Sequence, residues 1–279
     1  MTGIRVDDAL FHVELAGDGP PLVLLHGFTG STETWAPFVE VFGDQYQLVA
    51  IDLLGHGQSD CPADPQRYCM ERCLEDLQTI FEQLGLERVD LLGYSMGGRV
   101  ALNLAAAAPH RITTLVLESA SPGIQPSEDR QARRRSDARL ADLLERDGIA
   151  AFVDHWENLP LFASQRGLPP SVRAALRSQR LRCNPSGLAN SLRGLGTGVM
   201  TPLHDRLGDL QVPTLLVVGE LDAKYRELGQ AMAETLPAAS MVIIPDAGHA
   251  VHLEQPGAFA RTVLRFLDDH HRRTSFARR

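Results

Sequence analysis

Long apolar runs are missing from this 279-residue chain. None approaches the roughly 18 to 20 consecutive apolar residues that a bilayer-spanning helix requires, so no membrane partner is expected. A surplus of positive charge is missing too. The formal net charge is −8, which excludes a general affinity for nucleic acid phosphates. The segment Met1 to Leu15 has neither the basic head nor the apolar core of a secretion signal, and a cytoplasmic location is the expectation. Cysteine is scarce: Cys61, Cys69, Cys73 and Cys183 give no disulfide framework. Cys69 and Cys73 lie one helical turn apart, yet no histidine or further cysteine stands close by in sequence to complete a zinc site. No metal is expected. Internal repeats and low-complexity linkers are absent as well.

What is present is a core-forming chain, 44% apolar, in which strand and helix patterns alternate. Phe11 to Leu15 alternates as a strand should. Leu22 to Leu25, Leu48 to Ile51, Val89 to Leu92, Thr114 to Leu117, Thr214 to Val218 and Met241 to Ile244 are short, nearly continuous apolar runs, the pattern of parallel strands buried on both faces. Helical spacing appears at Thr32 to Phe42, Met70 to Leu84, Met96 to Ala108, Glu227 to Leu236 and Gln255 to His270. This order predicts an α/β fold with a mostly parallel central sheet flanked by helices. From about Pro122 to Thr201 the alternation stops, and helical patterns near Arg130 to Glu145, Ile149 to Trp156 and Ser171 to Arg182 replace it. The expected organisation is a core of residues 1–121 and 202–279 with a helical lid inserted at 122–201. The glycine cluster 194–198 reads as the hinge returning from that lid, and His270 to Arg279 as a frayed tail.

Gly93-Tyr94-Ser95-Met96-Gly97 stands where an apolar strand meets an alanine-rich helix. The pattern G-x-S-x-G at such a junction is a nucleophile elbow, in which small neighbours let a strained turn close around an exposed serine. Asp222 follows the Thr214 to Val218 strand, and His249 follows the Met241 to Ile244 strand. Ser, Asp, His is the chain order of the α/β-hydrolase triad, and all three stand at the carboxyl ends of expected parallel strands. Ser95, Asp222 and His249 are therefore the candidate catalytic residues. Glu220, Asp246 and Glu254 compete as acids, but only Asp222 and Glu220 lie just after the preceding strand. His252 is expected to pack beneath the loop, and His26 and His56 to shape loops. Backbone N–H groups of Phe28, in Leu25-His26-Gly27-Phe28, and of Met96 are the candidate oxyanion hole.

Charge is unevenly spread. From Pro122 to Met200 there are 12 arginines, no lysine and 8 acidic residues, a surplus of +4 that leaves −12 on the remainder. Arg173, Arg177 and Arg180 share one helical face, Arg133 to Arg135 sit on another lid helix, and Arg99 follows the elbow. Guanidinium groups grip carboxylates and keep their charge in a dry pocket, so a small-molecule substrate with several carboxylates is expected. Arg130, Arg139 and Arg146 read instead as solvated residues paired with lid acids. The cluster Gly194-Leu195-Gly196-Thr197-Gly198 opens no βαβ unit, which argues against a dinucleotide.

With these residues in view, the chain resembles the 2-succinyl-6-hydroxy-2,4-cyclohexadiene-1-carboxylate synthases, pyruvate-eliminating members of the α/β-hydrolase superfamily that serve menaquinone biosynthesis. The resemblance runs from about Pro21 to Leu267. It rests on His26-Gly27-Phe28-Thr29-Gly30-Ser31, the elbow through Arg99, Leu117 to Gly123, Trp156-Glu157-Asn158-Leu159-Pro160-Leu161-Phe162 and Gly219 to Tyr225. It implies the same triad, a pocket lined by Tyr94, Arg99, Arg133, Trp156 and Arg177, a lyase reaction and no cofactor. A monomer or weak homo-oligomer is expected. Two other readings use the same residues: a serine hydrolase of an ester or carbon–carbon bond in an acidic substrate, and a ligand receptor that retains the triad.

Overall fold

The short apolar runs assemble into one eight-stranded sheet in the computed structural model, which describes residues 2–277. The strands are β1 (Thr2–Val6), β2 (Ala9–Ala16), β3 (Pro21–Leu25), β4 (Gln47–Ile51), β5 (Val89–Tyr94), β6 (Ile112–Glu118), β7 (Thr214–Gly219) and β8 (Ala239–Ile244). Their spatial order is β1-β2-β4-β3-β5-β6-β7-β8. From β4 to β8 every pairing is parallel, while β2 runs antiparallel to both β1 and β4. Strand β1 carries no continuous apolar run; only Ile4 and Val6 turn inward, as suits an edge strand.

Helices α1 (Val39–Gly43), α2 (Met70–Gln83) and α3 (Met96–Ala107) connect the first strands, and a 3₁₀ turn over Thr32–Phe38 leads into α1. In α2 the buried residues Cys73, Leu77, Ile80 and Phe81 fall at i, i+4, i+7 and i+8, the stripe of a helix laid on a sheet. Helices α2 and α3 cover one face of the sheet, and the other carries Trp35, Phe38, Phe42, Phe259 and Val263.

Between β6 and β7 lie α4 (Ser127–Trp156), a 3₁₀ stretch at Pro160–Gly167, α5 (Pro170–Leu181) and α6 (Pro185–Leu195). The two helical patterns expected before Trp156 are the arms of α4, which breaks at Gly148 (φ 79°, ψ 179°), a conformation reserved for glycine. These helices share their own core of Leu144, Phe152, Val153, Phe162, Leu188 and Leu192, with Phe28 of the main body packed against it. The segment is closed at its base, where the N–H of Leu203 donates to Pro122 O at 2.8 Å.

Two expectations need correction. The glycine cluster 194–198 is not built as a hinge. A Cβ on Gly194 would meet Tyr68 O at 2.4 Å, and one on Gly198 the Arg134 backbone nitrogen at 2.7 Å, so these glycines permit close packing. Nor does the chain fray at His270. After α7 (Ala223–Thr235) and α8 (Val251–Glu254), helix α9 runs Pro256–Ala277, carrying the helix past the Phe266 carbonyl bonded by His270 (2.8 Å) and past the His271–Asp90 contact (2.6 Å). Arg278 and Arg279 lie outside the described residues.

Candidate active site

Strand β3 lies between β4 and β5, so the chain turns one way along the sheet after β3 and the other way at β5. A crevice opens at the carboxyl ends of strands where the order reverses. The loop His26–Ser31 leaves β3 there, and Ser95 ends β5 there.

Ser95 holds φ 51° and ψ −101°, outside the usual regions for a residue with a side chain. Such strain costs on the order of 1–3 kcal/mol and persists only where the surroundings fix it. Three hydrogen bonds do so: Ser95 N–H to Glu118 O (2.8 Å), Gly97 N–H to His26 O (3.1 Å) and Arg99 N–H to Ser95 O (3.0 Å). Gly97 is required by approach, since a Cβ there would lie 2.3 Å from Leu25 O. The Gly97–His26 bond also stitches the loop after β3 to the first turn of α3, bringing Phe28 and Met96 into the wall of one cavity. Neither of their N–H groups is engaged by a hydrogen bond seen among the described residues.

The structure brings Ser95, His249 and Asp222 together. Ser95 Oγ lies 3.0 Å from His249 Nε2, and His249 Nδ1 lies 2.7 Å from Asp222 Oδ2. An ionised carboxylate only accepts, so Nδ1 carries the proton and Nε2 is left to accept from the serine hydroxyl. Asp222 also accepts from Tyr225 N–H through Oδ1 at 3.3 Å, as the N-cap of α7. The imidazole is 2% exposed, with the rings of Tyr225, Tyr94 and Phe162 centred 4.5, 5.5 and 6.1 Å from it. Two of the competing acids are otherwise employed: Glu220 accepts from Asp246 N–H, and Glu254 from the N–H groups of Gly248 and Ala250. Buried Glu118, at the end of β6, accepts from His252. His26, in the loop after β3, bonds Gly27 O and accepts from Leu53 N–H in the loop after β4, tying the two loops together.

Ser95 and His249 line one cavity together with Tyr94, Arg99, Arg133 and Trp156, and Asp222 is reached through the His249 ring. Arg99 is 8% exposed and donates to Leu195 O at 2.7 Å; its Nε has no partner and no carboxylate pairs with it among the described residues. Burial pushes its guanidinium down to about 10. Arg133 pairs with Asp137, 2.7 Å from its Nε. Arg177 is not brought to this cavity. It points into a neighbouring pocket and pairs with Asp154 (2.6 Å) and Glu157 (2.5 Å). Arg180, one turn further along α5, lines both spaces. It is 5% exposed, sits 5.3 Å from the Phe162 ring centroid, touches Gln165 Oε1 at 3.3 Å and leaves its buried Nε unpartnered. Burial lowers its pKa also. The sequence signal for Arg180 was its place on the arginine face; the signal for Tyr225, packed on His249, was only its nearness to Asp222. Of the arginines expected to be solvated, Arg146 pairs with Asp147, whereas Arg130 donates to the Ile124 and Gln125 carbonyls.

Comparison with known proteins agrees in family. A model of the α/β hydrolase fold matches residues 20–256. A Bacillus subtilis (strain 168) protein, provisionally named 2-succinyl-6-hydroxy-2,4-cyclohexadiene-1-carboxylate synthase, is 45% identical over 95% of this chain and 97% of its own. The synthase of that name from Klebsiella pneumoniae is 34% identical over 89% of this chain and 94% of its own. The structure of MenH from S. aureus superposes with a TM-score of 0.90 at 36% identity, covering 94% of this chain and 98% of that one. The chain belongs to the α/β-hydrolase fold and, within it, to the 2-succinyl-6-hydroxy-2,4-cyclohexadiene-1-carboxylate synthase family.

Proposed function

We propose that this chain eliminates pyruvate from 2-succinyl-5-enolpyruvyl-6-hydroxy-3-cyclohexene-1-carboxylate to give 2-succinyl-6-hydroxy-2,4-cyclohexadiene-1-carboxylate, a carbon–oxygen lyase step of menaquinone biosynthesis. The observation that carries the reading is a hydrogen-bonded Ser–His–Asp chain whose Ser95 and His249 line one cavity with two buried guanidinium groups, Arg99 and Arg180, that have no carboxylate of their own among the described residues. A substrate with three carboxylates supplies the missing partners.

In this reading His249 Nε2 takes the Ser95 proton, and Ser95 Oγ removes the ring hydrogen beside the succinyl carbonyl. Asp222 holds the tautomer and balances the imidazolium. The electron pair moves onto the carbonyl oxygen, where the N–H groups of Phe28 and Met96 receive the charge. Its return forms the diene and breaks the ring carbon–oxygen bond, and the departing enolate takes up a proton to become pyruvate. The balance closes with these side chains alone. Residues 122–201 form the lid in this scheme, with 1–121 and 202–279 as the catalytic body. Arg133, Tyr94 and Trp156 line the substrate space, and Arg180 replaces Arg177 as the α5 contact.

The test is release of pyruvate from the enolpyruvyl substrate, followed with a coupled dehydrogenase. Ser95→Ala is expected to lower kcat by about 10³-fold or more with an unchanged melting temperature. Free succinate without pyruvate would replace this reading with hydrolysis. Tight binding without turnover of either kind would point to a receptor.

A further inference from the structure

Glu254 closes the short helix α8, five residues beyond His249, and the proton-transfer scheme gives it no part. Its carboxylate is nevertheless turned back onto the histidine loop. Oε2 accepts from Gly248 N–H at 2.8 Å and Oε1 from Ala250 N–H at 3.3 Å. These peptide groups stand immediately before and after His249. Two N–H groups held by one rigid carboxylate leave the His249 backbone little rotation, and the direction of its Cα–Cβ bond is fixed with it. The main chain reinforces the grip, because Glu254 N–H donates to Ala250 O at 2.9 Å.

The flanks of the loop are anchored separately. On its near side Leu221 N–H donates to Ala247 O at 2.8 Å, tying the loop to the turn that bears Asp222. On its far side buried Glu118, at the end of β6, accepts from His252 through the backbone N–H (3.0 Å) and Nδ1 (2.9 Å). Those contacts fix the loop to the sheet. Among the described residues, the side-chain contacts on both peptide neighbours of His249 are those of Glu254.

We propose that Glu254 is a positioning residue, whose carboxylate sets the imidazole of His249 at its 3.0 Å distance from Ser95 and 2.7 Å from Asp222. The inference rests on the reading of Ser95, His249 and Asp222 as the catalytic set, and it is independent of what the substrate is. A misplacement of about 1 Å in such a group costs about 10²-fold in rate. Gln keeps one acceptor oxygen and Ala keeps none, so the two substitutions grade the effect.

The experiment measures pyruvate release and, separately, the rate at which a fluorophosphonate labels Ser95, for wild type, Glu254→Gln and Glu254→Ala, with the melting temperature of each. The expected result is a kcat lowered about tenfold in Glu254→Gln and about 10²-fold in Glu254→Ala, KM within twofold, and labelling slowed in the same order. Labelling reports on the serine–histidine pair whatever the natural substrate, so slowed labelling beside an absence of pyruvate from wild type would retain the positioning role and reject only the substrate. If Glu254→Ala fails to fold, Glu254→Gln, nearly isosteric, carries the decision. Labelling of folded Glu254→Gln at the wild-type rate, or no faster labelling of wild type than of the variants, overturns the proposal. So does a fall in melting temperature with kcat unchanged.

Discussion

At the scale of single residues, the site is organised by charges left without partners. A buried guanidinium with no carboxylate is an unfavourable element of a fold, because desolvation is not offset. Arg99 and Arg180 both accept that cost at the cavity wall. Replacing either with Met, similar in length and apolar, is expected to leave the melting temperature unchanged or higher. The same change is expected to raise KM by about tenfold or more, since charge-assisted hydrogen bonds contribute on the order of 1.5–3 kcal/mol. Steady-state kinetics and thermal melting of the two variants check this. An unaltered KM with a lowered melting temperature would assign both arginines to the scaffold. Arg177 makes the contrasting case, for it already holds two carboxylates and is not free to bind a third party as tightly.

At the scale of elements, helix α9 is fastened by a titratable contact. His271 Nε2 lies 2.6 Å from Asp90 Oδ2, and Thr114 Oγ1 donates to the other oxygen of the same carboxylate at 2.7 Å. The hydrogen bond to Asp90 raises the His271 pKa above its usual 6.5. A raised pKa in the folded state means stability that is complete below the unfolded value and disappears as pH climbs through the folded one. His271→Gln is therefore expected to depress the melting temperature more at about pH 6 than at about pH 9. Equal depression at both would reduce His271 to a neutral packing residue.

Elements differed in how plainly the chain announced them. Five of the six apolar runs are strands because a parallel strand buried on both faces admits little else, while the sixth, β8, is an edge strand with Ile243 exposed. The elbow and the two triad loops were legible because each followed such a run. Strand β1 was not, since an edge strand with one buried face in two inward residues leaves almost no trace. Helix α6 was missed for a different reason. Pro185, Gly187 and Gly194 weaken its helical pattern, but Asn184 caps the helix through Gly187 N–H and tight packing against Gly55 and Tyr68 needs those glycines. Which arginine of α5 meets the cavity was also hidden. Residues 177 and 180 lie on one face, and only the seating of α5 beside the 3₁₀ stretch decides between them.

At the scale of the molecule, the segment facing the site carries +4 and the rest −12. A field of this shape draws a polyanion toward the cavity mouth and away from other surfaces. Under the proposed reaction, kcat/KM is expected to fall several-fold as the Debye length shrinks from ~30 Å at 0.01 M salt to ~3 Å at 1 M, with kcat nearly constant. A kcat/KM indifferent to salt would show that capture depends on contact alone.

The bond between Leu203 and Pro122 has a consequence for how such enzymes diversify. Under the proposed division into lid and body, the helices between β6 and β7 leave and rejoin at a single pinched stem, between strands already paired with each other, so recombination there can trade one roof for another. The sheet and the proposed proton chemistry at its rim are then inherited intact, and only the guest changes.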